Sequence, residues 1–109
     1  MSEIQQLTEE LKAFRDARDW AQFHNAKDLA IALSIEAGEL NEVFLWKNPE
    51  EAKPEKVKEE LADIFSFALL LADKYGFDVP AIVREKLEQN NRKYPVDKAK
   101  GNATKYNEL

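Results

Sequence analysis

Three observations in this 109-residue sequence predict an all-α protein. Apolar residues recur every three to four positions, the helical period, rather than every two. With three Gly and four Pro, the chain has too few tight-turn residues for a series of hairpins. Stop signals at Asn48-Pro49, at Gly76 and at Pro95 cut it into a few long segments. The predicted architecture is a four-helix bundle-type protomer forming one domain over residues 1–109.

Each segment has its own justification. The first helix is predicted from about Ser2 to Ala17, on the repeat of Ile4, Leu7, Leu11 and Phe14. A polar turn over Arg18 to Asn25 follows, carrying Trp20, Phe23 and His24. Asn25 is a suitable N-cap for the second helix, with Asp28 favourable to its dipole, and that helix is expected to reach about Trp46. Pro54 fits the first position of the third helix, which ends near Tyr75 with Gly76 as a left-handed stop. Asp78 and Pro80 open the fourth helix, which runs to about Tyr94. Residues 96–109 read as a polar, extended tail.

Composition narrows the function classes. Hydrophobic residues at 44% and charged residues at 34% are a globular balance. A chain this short leaves much apolar surface exposed, which keeps oligomerisation open. The absence of Cys excludes a disulfide framework and a thiolate metal site, and fits a reducing compartment. A net charge of −5 argues against a nucleic-acid polymer as partner, because such affinity comes from excess Lys and Arg. No apolar run approaches ~18 residues, and MSEIQQLTEELKAF has no signal-peptide pattern. A cytoplasmic protein without a membrane partner is expected.

The chemistry is concentrated in acidic pairs. At about 100° per residue, Leu29, Leu33, Leu40, Val43 and Phe44 form one face of the second helix. Glu36 falls in the middle of that face and Glu39 at its edge. On the third helix Val57, Ile64, Phe67 and Leu71 share a face with Glu60, and Asp63 lies beside Phe67 and Leu70. Two helices thus each turn an acidic i, i+3 pair toward the core. An ionised carboxylate in such a place loses several kcal/mol of hydration unless it is compensated.

A divalent cation would compensate all four. Carboxylates without His or Cys make an oxygen-only site, which suits Mg²⁺ or Mn²⁺ over Zn²⁺. The chain has no Glu-x-x-His, so the di-iron arrangement of bundle proteins does not apply. The plain alternative is that Glu-x-x-Glu on a helix merely faces solvent, as Glu9/Glu10 and Glu50/Glu51 are read to do. Glu59 is assigned to solvent and Glu42 to either the surface or the margin of the site.

Two further groups carry a functional and a bland reading side by side. Lys86, Asn90 and Lys93 lie at i, i+4 and i+7 of the fourth helix, next to the stripe Val79, Val83, Leu87 and Tyr94. They could bind phosphate oxygens, or form a solvated basic face. Trp20 and Trp46 flank the second helix and could stack on a nucleobase, or belong to core or interface. His24 is read as a cap or core-edge residue.

Together these residues resemble the all-α nucleoside triphosphate pyrophosphohydrolases of the MazG-like superfamily. The motifs are Glu36-Ala-Gly-Glu39 and Glu60-Leu-Ala-Asp63. Arg18-Asp19-Trp20, Gln22-Phe23-His24, Gly38-Glu39-Leu40 with Phe44, Trp46-Lys47, Asn90 with Tyr94-Pro95, and Lys105-Tyr106 with Glu108-Leu109 are similar to the dCTP pyrophosphatase branch. One departure stands in the first helix, where base-recognising members carry a His and this chain has Leu11.

The resemblance implies an Mg²⁺-dependent enzyme that converts a (d)NTP, with dCTP or a modified dCTP favoured, to the monophosphate and pyrophosphate. It implies a homotetramer built as a dimer of dimers. Glu36, Glu39, Glu60 and Asp63 would be metal ligands, with Glu39 also orienting or deprotonating water. Trp20 and Trp46 would line a base pocket, and Asn90 and Lys93 would contact substrate; Lys86, on the same helix face, could offset the pyrophosphate charge, and Tyr94 is a further candidate contact. Two alternatives stand beside this: the same reaction on dUTP or a phosphoribosyl nucleotide, and a non-catalytic helical interaction module.

Overall fold

In the computed structural model, which describes residues 1–109, every regular element is helical. The chain divides into two compact units, Met1–Gly76 and Phe77–Leu109. The first contains α1 (Glu3–Ala17), α2 (Ala26–Phe44) and α3 (Pro54–Lys74), with single 3₁₀ turns at Ala21–Phe23 and Pro49–Glu51. The second contains α4 (Val79–Lys93), a short α5 (Val96–Ala99) and a 3₁₀ turn at Tyr106–Glu108.

The helix starts follow local chemistry. The Ser2 hydroxyl accepts the Gln5 N–H at 3.1 Å while the Gln5 side chain accepts the Ser2 N–H at 2.9 Å, a reciprocal capping box. Asn25 accepts the Asp28 N–H at 2.8 Å, and Asp78 accepts the Ala81 N–H at 3.0 Å. Gly76 closes α3 at φ 68°, where a Cβ would be strained.

Two boundaries differ from expectation. α2 stops at Phe44 rather than near Trp46, because Leu45 turns to ψ 127° and Trp46 to φ 60°. Pro49 lacks an N–H and disfavours helical geometry in the residue before it, so the chain leaves the helix before reaching Asn48-Pro49. The tail is not extended throughout: Pro95 serves as the N-cap of α5, whose end is closed by the Lys100 N–H on the Val96 carbonyl. Pro is well tolerated there because the first helical turn needs no internal acceptor for its N–H groups.

Packing in the first unit is organised around α3, which has α2 along one side and α1 along another. The buried apolar residues are Leu29 on α2 and Leu69, Leu70 and Ala72 on α3. Leu29 is 1% exposed, and removing its side chain to Ala would cost about 2–5 kcal/mol. The faces predicted from periodicity (Leu33, Leu40, Val43; Val57, Ile64, Phe67, Leu71) are half-buried, while Phe44 is exposed. Leu69 and Ala72 lie outside the predicted stripe, because an amphipathic reading assumes one packing partner and α3 has two. Lys12 of α1 reaches Asp73 of α3 at 3.5 Å, a partly exposed pair worth at most about 1 kcal/mol.

Candidate active site

The α2–α3 packing brings Glu36, Glu60 and Asp63 together. One carboxylate oxygen from each lies within 4.8 Å of the others. Glu36 and Glu60 are half-buried, and Asp63 is exposed at the rim. The Oε2 atoms of Glu36 and Glu60 are both shut off from water and have no hydrogen-bond partner. Native proteins rarely leave such atoms unsatisfied without a water, an ion or a function.

Electrostatics at the cluster show the same unmet demand. Withdrawal from water, then hydrogen bonding with Glu60 and Glu39, then the charges of Glu39 and Asp63, push the Glu36 carboxyl up from 4.5 to about 7. Glu60 is raised as well, chiefly by withdrawal from water, although its hydrogen bond with Glu36 works the other way. Glu39, one turn after Glu36, is exposed and lies close enough to raise both carboxyls. The donors are all hard oxygens and two of them are orphaned. That set fits a divalent cation of the Mg²⁺ type.

The first aromatic candidate sits after α1. The Trp20 N–H donates to the Arg15 carbonyl at 3.1 Å, and the indole meets Phe14 edge-on at 5.9 Å. Arg18 lies 3.7 Å above the Phe14 ring and donates to the Phe14 carbonyl at 2.9 Å. Asp19 adopts φ 56° to make this turn, and Gln22 donates to its carbonyl at 2.9 Å. Sequence reading omitted the Phe14–Arg18 stack, although its i, i+4 spacing was available as a signal.

Trp46 contrasts with Trp20. It is 93% exposed and holds a left-handed backbone that a bulky side chain disfavours. His24 caps the first 3₁₀ turn and packs edge-on against Phe67 at 6.5 Å. Burial, reinforced by Arg15 and Lys74, holds its pKa below the usual histidine value. Glu42 and Glu59 are exposed, and Glu59 pairs with Lys56.

In the second unit, Lys86 and Asn90 share a shallow groove of about 390 Å³ with Ile82, Val83 and Leu87. The Lys86 Nζ lies 3.5 Å from the Gln89 side-chain oxygen. Lys93 sits in the last turn of α4, and Tyr94 caps the helix by donating its N–H to the Asn90 carbonyl at 2.8 Å. The Lys93 ammonium lies 4.9 Å from the centroid of the Tyr106 ring, a partner that sequence reading did not assign. No local spacing could have found it, since the tail must fold back to make it.

The description MazG-like matches residues 31–109, which include both carboxylate pairs and all of α4. The chain belongs to the MazG-like family. It is 40% identical over 104 residues to dCTP pyrophosphatase 1 of Bos taurus, covering 88% of this chain and 62% of that protein. Identity to dCTP pyrophosphatase 1 of Homo sapiens is 38% over 104 residues, covering 88% and 61%. This MazG-like chain thus spans about three fifths of the length of the curated relatives it matches. Among solved structures, a pyrophosphatase from Archaeoglobus fulgidus DSM 4304 superposes with a TM-score of 0.81 at 35% identity, covering 87% of this chain and 94% of that one. At that likeness the all-α MazG-like fold is shared.

Proposed function

We propose that this MazG-like chain is an Mg²⁺-dependent nucleoside triphosphate pyrophosphohydrolase acting on dCTP or a modified dCTP in the cytoplasm. The observation that carries the reading is the convergence of Glu36, Glu60 and Asp63 within 4.8 Å, two of them with orphaned buried oxygens. The names of the bovine, human and archaeal relatives support the reaction, and the mammalian names support the base.

Glu36, Glu60 and Asp63, with Glu39 beside them, would hold Mg²⁺. When bound, that ion supplies Lewis acidity toward phosphate oxygens and acidifies a coordinated water. Glu39 is the most open carboxylate of the group on α2, so its side-chain oxygens can accept a proton from the attacking water. Lys86 and Lys93 offset the charge of the departing pyrophosphate, and the Asn90 amide donates to a phosphate oxygen. Trp20 and Trp46 would offer aromatic faces to the base, and Tyr94, whose N–H closes the end of α4 on the Asn90 carbonyl, would contact the substrate. Catalysis of this kind is largely positioning plus charge stabilisation.

Assembly is part of the proposal. Ile31, Ile35, Leu45 and Phe65 are all about half exposed or more in the single chain. Exposed apolar area on that scale marks a contact surface, and a homotetramer would cover it. Sedimentation of the protein checks this, with a monomer overturning it.

The decisive experiment incubates the protein with dCTP, 5-methyl-dCTP, dUTP, the other dNTPs and a phosphoribosyl nucleotide, with and without Mg²⁺. Ion-exchange separation of products should show monophosphate and pyrophosphate from a cytosine nucleotide only when Mg²⁺ is present. Diphosphate plus orthophosphate, or no turnover, would overturn the reading. Preferential cleavage of dUTP or the phosphoribosyl compound would keep the reaction and change the substrate.

A further inference from the structure

The tail after α4 has no task in the catalytic reading, yet it folds back onto the end of that helix. Tyr106, at the start of the last 3₁₀ turn, meets Tyr94 edge-on with ring centroids 6.0 Å apart and planes at 78°. The Lys93 ammonium lies 4.9 Å from the centroid of the same Tyr106 ring. The distance is inside the range at which an aromatic face attracts a cation. Lys93 pairs with no carboxylate: the ion pairs of the chain use Lys12, Arg15 and Lys56.

The type of partner matters. A carboxylate would both hold the ammonium and cancel its charge. A ring quadrupole holds it without cancelling it, so the charge remains for an incoming anion. A free lysine stem must also give up rotamer freedom when it grips a phosphate, and a stem already biased by a ring gives up less. We propose that Tyr106 is a positioning residue: the tail pre-sets Lys93 for the phosphate chain of the substrate, an inference that rests on the pyrophosphohydrolase reading of Lys93.

The test separates ring from bulk. Tyr106→Phe keeps the aromatic face, whereas Tyr106→Leu keeps apolar volume against Tyr94 and loses the face. In Tyr106→Leu the KM for dCTP should rise roughly two- to five-fold with kcat little changed. Tyr106→Phe should behave as wild type. In a Lys93→Met background, Tyr106→Leu should add nothing, as expected of a residue acting through Lys93. In the spectrum of the intact protein, the Lys93 ε-methylene protons should be shifted upfield by the ring in wild type and Tyr106→Phe, and not in Tyr106→Leu. A Phe variant that matches Leu, a Leu variant that matches wild type, or additive effects in the double mutant would overturn the proposal. If wild type turns over no nucleotide, the catalytic reading is what fails. The same variants are then compared by calorimetry with Mg²⁺ and inorganic pyrophosphate, where equal affinities or no binding would overturn the positioning role on its own terms.

Discussion

The two units differ in charge as sharply as in architecture. Met1–Gly76 carries 16 acidic against 9 basic side chains, and Phe77–Leu109 carries 5 acidic against 7 basic. The net −5 of the chain therefore conceals an acidic unit and a weakly basic one. Within the first, charge is concentrated: three carboxylates converge and two oxygens are left without partners. Within the second it is spread along α4 and the tail, and two of the cations have an uncharged neighbour, Gln89 for Lys86 and Tyr106 for Lys93. Converging like charges need a counterion, whereas spaced cations do not. On the proposed function, the first unit would bind the metal and the second would meet the anionic substrate.

The largest effect should come from breaking the convergence. Glu60→Gln keeps shape and removes one ligand charge, and kcat should fall by at least ~10²-fold. The Mg²⁺-induced rise in Tm should vanish with it, since a ligand stabilises only the state that binds it. Retention of both turnover and Mg²⁺ stabilisation would mean the carboxylates serve structure alone. On the basic side, Lys86→Met and Lys93→Met should each raise KM by roughly 10-fold, as loss of one charged contact to phosphate does. Equal losses in kcat would instead place these lysines at the transition state.

In the proposed site a proton and a metal would compete for the same oxygens, which gives the acidic unit a pH signature. Glu36 titrates at about 7 in the fold against 4.5 when free. Its carboxyl is raised, so the folded state holds the proton more tightly than the unfolded state does. Its contribution is fully present below 4.5 and is lost as pH rises through about 7. Without metal, thermal stability should therefore decline across that window, and Mg²⁺ should restore it at the alkaline end. Glu36→Gln should flatten the metal-free profile. Melting curves over pH, with Mg²⁺ and with a chelator, would show it; a wild-type profile already flat without metal would contradict the burial of this carboxyl.

Sequence made most of the acidic unit readable and less of the basic one. Asn25 and Gly76 signal helix ends through contacts within a few residues, and those contacts form, while Pro54 takes the first position of α3 as its missing N–H allows. Glu36 and Glu60 were legible because a charge among apolar neighbours at helical spacing has one place to point. The early end of α2 was not, since the influence of Pro49 travels back through Leu45 and Trp46. The unequal placing on α2 was legible in part, since Glu39 reads at the edge of the face and lies outside the tight trio. The Tyr106–Lys93 contact was hidden because it spans 13 positions and follows from how the tail folds back.

The smallest expected effect sets stability against binding at a single residue. Trp46 holds φ 60° while its side chain is 93% exposed, so the protomer spends strain on a conformation its own packing does not repay. Non-Gly residues in that region cost about 1 kcal/mol or more. Trp46→Gly removes the strain and loses little buried surface, so the isolated fold should be as stable as wild type or up to ~1 kcal/mol more so. Nucleotide affinity should drop by about 1–3 kcal/mol if the indole stacks on the base. Denaturant titration and calorimetry with dCMP, the product on the proposed reaction, read the two effects apart. A variant that is destabilised and fails to assemble, yet binds dCMP normally, would move Trp46 from the base to a subunit interface.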